Sequence, residues 1–407
     1  MRSRICMDKP IVEINGDEMA RVMWAWVKEK LILPYVDLKT EYYDLHIKRR
    51  DETNDQVTLQ AAEAIKRWKV GVKCATITPN AERVKEYGLK REWKSPNATI
   101  RNILDGTIFR APIILSNVKP AVRFWKKPIV IARHAFGDIY DGVGIRFEGP
   151  AEAEIVVKQN DGKEHKAKFP ALEGSGVLQG IYNIDSSIES FARASFRYAL
   201  ENQLDLWFAA KDTISKVYDA RFKEIFSKVY AEEFREKFQK MGLKYYYFLI
   251  DDALARAVRS EGGFIWACKN FDGDIFSDFV AAAYVGSLAL VTSVLFSPEG
   301  HFLAEAAHGT VQKHYYRYLK GEKTSTNPTA IIFAWASALR RRGELDGIAE
   351  LVDFSLKLEK ATRVTLEGDM IMTADVAKVS EPPAKAIIST DEFIEAVKRN
   401  VERLIQF

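Results

Sequence analysis

A series of short apolar runs, each closing on a charged or hydroxyl-bearing residue, limits what this chain can fold into. Pro10–Asn15 (PIVEIN) ends at Gly16-Asp17, Val70–Ile77 (VGVKCATI) at Thr78-Pro79, and Pro128–Ala132 (PIVIA) at Arg133-His134. Leu204–Ala210 (LDLWFAA) ends at Lys211-Asp212 and Tyr245–Ile250 (YYYFLI) at Asp251-Asp252. Apolar runs of roughly this length without alternation read as strands buried on both faces. Pro112–Leu115 and Phe264–Cys268 read the same way. Between the runs lie segments with helical spacing, among them Glu18–Leu31, Val57–Trp68, Ile188–Leu200 and Asp219–Met241. Alternating strand and helix predict an α/β fold with a largely parallel sheet. Ligands of such sheets gather at the carboxyl ends of the strands, so the polar residues that close the runs are the first candidates for function.

A chain of 407 residues is expected to form two or three domains. A net charge of +4 gives no case for nucleic acid. Cys6, Cys74 and Cys268 are odd in number and far apart. That argues against a disulfide framework or a zinc site and predicts a reducing, cytoplasmic compartment. Arg2 and Arg4 precede no apolar h-region, so no signal peptide is expected. Phe279–Pro298 lacks charge and has the length of a membrane span, but Gly286, Ser287, Thr292 and Ser293 within it predict a helix followed by a buried strand. Arg340–Arg342 is expected to be the solvated end of a helix over Thr329–Arg341 that starts at Asn327-Pro328.

The stretch Lys94–Arg110 (KSPNATIRNILDGTIFR) concentrates polar recognition groups. Ser95, Asn97 and Arg101 fall within seven residues; Arg110 follows, and Arg133 closes a later run. Several planar guanidinium forks together suit a molecule with several carboxylates. Asp274 and Asp278 are four apart, so on a helix they share a face and repel unless a cation sits between them. With Asp251 they would make an oxygen-donor set for Mg²⁺ or Mn²⁺. Lys211 at a strand end and Tyr140 in HAFGDIY are candidates for proton transfer. Ala304–Val311 (AEAAHGTV) reads as a loop carrying His308, Gly309 and Thr310, and Arg256, Arg259, Lys313 and His314 suit a phosphate. Each residue has a plain alternative: surface ion pairs for the arginines, helix capping for the aspartates, packing for the tyrosine. Asn160-Asp161-Gly162 predicts a hairpin between Glu152–Lys158 and Glu164–Phe169, and such a hairpin needs a surface to dock on. Gly174-Ser175-Gly176 with Gly180 misses the dinucleotide spacing and lacks a parallel βα unit.

Taken together, GDEMAR, RDETNDQVT, GVKCATITP, WKSPNATIRN, RHAFGDIY, KDTISKVYDARFK, LIDD, SEGGFIWACKNFDGD, EAAHGTV and KTSTNPTA resemble the NADP-dependent isocitrate dehydrogenases of the homodimeric subgroup found in eukaryotes and some bacteria. The resemblance covers nearly the whole chain. It implies an isocitrate/isopropylmalate dehydrogenase-like fold with a large α/β domain (1–104 and 284–407), a small α/β domain (105–137 and 184–283) and a β-rich clasp (138–183) that interlocks two subunits. It implies that Thr78, Ser95, Asn97, Arg101, Arg110 and Arg133 grip isocitrate, and that Tyr140 and Lys211 transfer protons. It gives Mg²⁺ or Mn²⁺ to Asp274 and Asp278 of one subunit and Asp251 lent by the other. It gives NADP to Lys73, Thr76, Thr78, Arg83, Gly309, Thr310, Val311, His314 and Asn327. Arg256 and Arg259 stand where the family commonly has Gln and Lys, and Lys313 where it commonly has Arg; all three remain polar or basic and keep NADP ahead of NAD. The segment Ala282–Ala289 is one residue longer than usual and poorer in glycine. Two other readings stay open: another β-decarboxylating 2-hydroxyacid dehydrogenase, or a ligand-binding dimer with impaired turnover.

Overall fold

The computed structural model describes residues 4–406. By their contacts these form two units, one of residues up to Ala135 together with those from Asp185 onward, the other Phe136–Ile184.

The larger unit is built on one ten-stranded sheet. In chain order its strands are β1 (Ile11–Asn15), β2 (Thr40–Asp44), β3 (Val70–Lys73), β4 (Thr107–Pro112), β5 (Ile129–Arg133), β6 (Asp205–Ala210), β7 (Tyr245–Leu249), β8 (Phe264–Cys268), β9 (Val291–Phe296) and β10 (Phe302–Ala306). Across the sheet they run β7-β6-β8-β5-β4-β9-β10-β3-β1-β2. The block β7 to β5 is parallel, and so is the block β10 to β2. β4 and β9 are antiparallel to their neighbours, so strand direction reverses in the middle. Both sides are packed, as continuous apolar strands require. On one side Phe109, Phe191, Phe196, Phe208, Phe226 and Phe296 form an aromatic cluster; elsewhere Trp24, Trp266 and Trp335 belong to a core that the covering helices complete.

The helices that concern function are α1 (Glu18–Val27), α2 (Pro96–Leu104), α3 (Asp185–Asn202), α4 (Ile250–Arg259), α5 (Asn270–Val285), α6 (Gln312–Leu319), α7 (Thr329–Asp346) and α8 (Ala349–Arg363). Among the described residues no helix is long and apolar enough to cross a membrane. The uncharged stretch is divided between the end of α5 and β9, as its composition predicts. Val285 is the last residue of an unbroken α5 and is buried; Gly286, at φ +61°, closes the helix in a left-handed conformation that glycine adopts without strain.

Several local expectations fail for identifiable reasons. β3 ends at Lys73, because the buried Asp17 carboxylate accepts the amides of Ile47 and Ile77, both at 2.8 Å, and draws the chain off as a loop. The strand expected over Pro112–Leu115 lies earlier, Thr107–Pro112, so Arg110 stands within it. Ala304–Ala306 belongs to β10 rather than to a loop. The arginine triplet is not a solvated helix end: α7 continues to Asp346, and Arg342 is 2% exposed, donating to Asp346 and to the Trp68 carbonyl.

The smaller unit holds two antiparallel ribbons, Val143–Phe147 with Gly176–Gly180 and Glu154–Lys158 with Glu164–Lys168. Gly162 of the predicted turn has φ +88°. Tyr140 lies in the short 3₁₀ turn Asp138–Asp141 and is half exposed.

Candidate active site

A line of register crosses the sheet where strand direction reverses. Lys73 on β3, Glu305 on β10, Ser293 on β9 and Arg110 on β4 are successive cross-strand neighbours. Residues directly opposite one another share a face, so an ammonium, a carboxylate, a hydroxyl and a guanidinium stand in a row. Arg110 pairs in turn with Ile131 of β5; Arg133, two residues on, projects from the same face.

Glu305 organises one end of this row. Its Oε2 lies 3.9 Å from Lys73 Nζ, its Oε1 lies 3.6 Å from Arg101 Nη2, and Ser293 Oγ donates to Oε1 at 3.3 Å. Burial acts to raise the Glu305 pKa, but Lys73, Arg101 and Arg110 outweigh it and hold the carboxyl below its ordinary range. Burial also lowers the Lys73 ammonium and the Arg101 guanidinium, with Glu305 opposing it in both. Sequence reasoning missed Glu305 and Ser293, because the segment around Glu305 reads as a loop; FLAEA, apolar at four of its five positions, is the buried-strand signal that finds it.

The other end meets α5. Arg133 Nε donates to Asn270 Oδ1 at 2.9 Å and its guanidinium pairs with Asp274. Arg110 donates to Ser277 Oγ at 2.9 Å and to Asp278 at 3.1 Å. The close approach requires Gly273, where an added Cβ would stand 2.8 Å from Cβ of Arg133. Asp274 and Asp278 thus lie well inside α5 rather than capping it. Their side chains are 40% and 62% exposed. Two water-accessible carboxylates, with oxygen donors only, suit a hard divalent cation that keeps waters of its own. The three-carboxylate cluster is not assembled within one chain: among the described residues no three metal-ligating side chains come together. Asp251, at the start of α4, instead accepts from Lys211 Nζ at 2.6 Å, on the β6–β7 edge of the sheet.

Ser95 occupies the cap position of α2, yet its side chain makes no capping bond, which leaves the hydroxyl for other use. Asn97 Oδ1 is buried without a partner. Thr78 is exposed in the loop after β3, and Thr76 Oγ1 accepts from Lys73 Nζ at 3.2 Å.

A further polar group surrounds the start of α6. Glu18, also missed by sequence reasoning, pairs with Arg83 at 2.8 Å and accepts from Thr310 Oγ1. Arg83 also donates to Glu86 at 2.8 Å, and these carboxylates hold its guanidinium pKa well above ordinary even as burial lowers it. Val311 caps α6 at φ +59° and Gly309 faces open space. His308 Nε2 and His314 Nδ1 are buried without partners. Burial pushes both imidazole pKa values down, against the opposing charge of Asp375, which also accepts the Asn327 amide at 3.0 Å. Unsatisfied buried nitrogens beside open space fit a ligand rich in hydrogen-bonding groups, and a dinucleotide is one. Lys313 is exposed on α6. Arg256 and Arg259 are not part of this group: they lie on α4, where Arg256 pairs with Asp252 at 2.7 Å.

The isocitrate/isopropylmalate dehydrogenase family model matches residues 8–397. The chain is 48% identical to the mitochondrial isocitrate dehydrogenase (NADP) of Saccharomyces cerevisiae, over 99% of this chain and 95% of that one. It is 48% identical to isocitrate dehydrogenase (NADP) of Sphingobium yanoikuyae, over 98% of each, and 49% identical to isocitrate dehydrogenase (NADP) 1 of Mycobacterium tuberculosis, again over 98% of each. A match of this extent leaves none of the sheet, the arginine row or α5 outside it, and the chain belongs to the isocitrate/isopropylmalate dehydrogenase family.

Proposed function

We propose that the chain catalyses oxidative decarboxylation of isocitrate to 2-oxoglutarate and CO₂ with reduction of NADP. The observation that carries this reading is the arginine cluster: Arg101, Arg110 and Arg133 converge beside Asp274 and Asp278, a charge pattern suited to a tricarboxylate and a divalent cation. Relatives of near-half identity that carry the name isocitrate dehydrogenase support the same conclusion. When bound, the divalent cation supplies Lewis acidity at the substrate hydroxyl and NADP supplies the hydride acceptor. Asp274 and Asp278 would hold the cation. The chain's own groups do the rest. The three guanidiniums orient the carboxylates and offset their mutual repulsion. Ser95 and Asn97 add neutral hydrogen bonds at the mouth of α2, with Thr78 alongside. Lys211 takes the hydroxyl proton, directly or through a water, and Tyr140 returns a proton at C3. Lys73, Thr76, Thr78, Arg83, Gly309, Thr310, Val311, Lys313, His314 and Asn327 receive NADP, with Arg256 and Arg259 directed to its 2′-phosphate.

Two lobes divided as 1–104 with 284–407 and 105–137 with 184–283, and a clasp over 138–183, are part of this reading. So is a homodimer with shared sites, in which Lys211 and Asp251 complete the partner's carboxylate pair. The separation of Lys211 and Asp251 from Asp274 and Asp278 supports it. So does the ribbon of Val143 (71% exposed) and Ile145 (65% exposed), apolar residues on a sheet too thin to have a core of its own. A cytoplasmic location also belongs to it, supported by three free cysteines.

The test is NADPH formation from isocitrate with Mn²⁺, run in parallel with NAD and with isopropylmalate. Signal with isocitrate and NADP is expected; none with either cofactor removes the enzyme reading and leaves a binding protein. Ile145→Asp is expected to convert a dimer to a monomer in size-exclusion light scattering and to abolish most turnover, and a fully active monomer would refute the shared site.

A further inference from the structure

β9 has a second face. Ser293 turns toward Glu305, whereas Thr292, Val294 and Phe296 alternate with it and line a cavity of about 610 Å³ on the opposite side of the sheet. α3, α7 and α8 supply the other walls, and no residue of the proposed reaction lies among them. The volume is that of a small-molecule site.

Charge is graded with depth. Arg341, 18% exposed, holds its guanidinium 5.7 Å from the ring centre of Phe296 and 5.9 Å from that of Phe302. It forms long ion pairs with Glu201 at 3.5 Å and Glu344 at 3.7 Å, both at the more exposed rim. Its Nε is buried with no partner. Arg340 is already paired with Glu359 at 3.2 Å, and Arg363 donates to the Ile114 carbonyl and lies over the ring of Phe333 at 5.6 Å. Burial raises the carboxyl pKa of Glu359, the deepest acid, against the pull of Arg340 and Arg363. Three guanidiniums and three carboxylates thus line the cavity, and Arg341, whose ion pairs are the longest of the set and lie at the rim, is the guanidinium most readily turned to an incoming oxyanion, set against aromatic walls. Buried donors left unmatched are costly, and a planar fork matches two oxygens of a carboxylate or sulfonate. Aromatic faces favour a flat apolar body beside it.

We propose that this cavity binds a small aromatic monoanion, with its carboxylate or sulfonate on Arg341 and its ring against Phe296 and Phe302. The site is separate from the proposed active site by one thickness of sheet. Fluorescence titration of the intact protein with 8-anilinonaphthalene-1-sulfonate tests it. Saturable enhancement at one dye per chain is expected, undiminished by saturating NADP and isocitrate. Arg341→Gln is expected to weaken binding by about tenfold or more. Ser337→Trp, which fills the cavity and keeps every arginine, is expected to abolish it. Arg341→Lys, which keeps the charge without the planar fork, gives intermediate affinity and serves where a larger change fails to fold. Displacement of the dye by NADP would place it in the cofactor site and overturn the proposal. So would an absence of dye binding, or parental affinity in the folded variants.

Discussion

Arg101→Ala and Arg133→Ala each lower kcat/KM for isocitrate by roughly 10²–10³-fold while changing the Kd for NADP less than about threefold. Both guanidiniums converge where a polycarboxylate is to be held, whereas Arg83, Gly309, Thr310, Val311, Lys313 and His314, among the residues assigned to the cofactor, lie around Glu18 and the start of α6. The Arg133 change has a second consequence. It removes one partner of Asp274 and one donor to Asn270, so the packing of α5 on β5 is expected to weaken even without substrate. Steady-state kinetics with isocitrate, alongside NADP titration by tryptophan fluorescence, separates the two effects. Equal loss of substrate turnover and cofactor affinity would mean that the pocket has been misplaced.

Glu305→Ala destabilises the fold by roughly 3–5 kcal/mol, because it leaves Lys73 and Arg101 facing one another without the carboxylate between them. In a chain of this size the melting temperature should drop by roughly 4–6 °C. The stabilisation has a definite pH window. The folded carboxyl lies below its ordinary range, so the contribution is complete above that range and is lost as pH falls through the folded pKa. The difference in melting temperature between wild type and Glu305→Ala should therefore persist at neutral pH and shrink in acid. Adding Lys73→Met to Glu305→Leu should recover part of the loss, since an apolar pair removes one of the buried cations. A melting temperature unmoved by Glu305→Ala would show that the row carries no electrostatic weight.

The strands that form the sheet could be read from the sequence because burial on both faces leaves unbroken apolar runs, as in PIVIA and FIWAC. That Arg110 and Arg133 lie beside Asp274 and Asp278 was foreshadowed by the clustering of the arginines and by the four-residue spacing that puts both aspartates on one helix face. What was not legible depends on partners distant in the chain. Asp17 shortens β3 by capturing amides thirty and sixty residues away, and no local pattern announces that. Arg340–Arg342 looks solvated from its charge alone, yet Arg342 finds Trp68 and Asp346 and becomes core. Lys211 and Asp251 each close a strand as foreseen, but strand order places them at an edge, away from the carboxylates they were grouped with.

The alternation of β9 has a consequence for strand register. Ser293, on one face, belongs to the polar row, whereas Thr292, Val294 and Phe296, on the other, line the cavity. The turn from Phe296 to Phe302 sets the register of β10 against β9. A one-residue slip of β10 against its neighbours would exchange its faces and turn Glu305 away from Lys73 and Arg101.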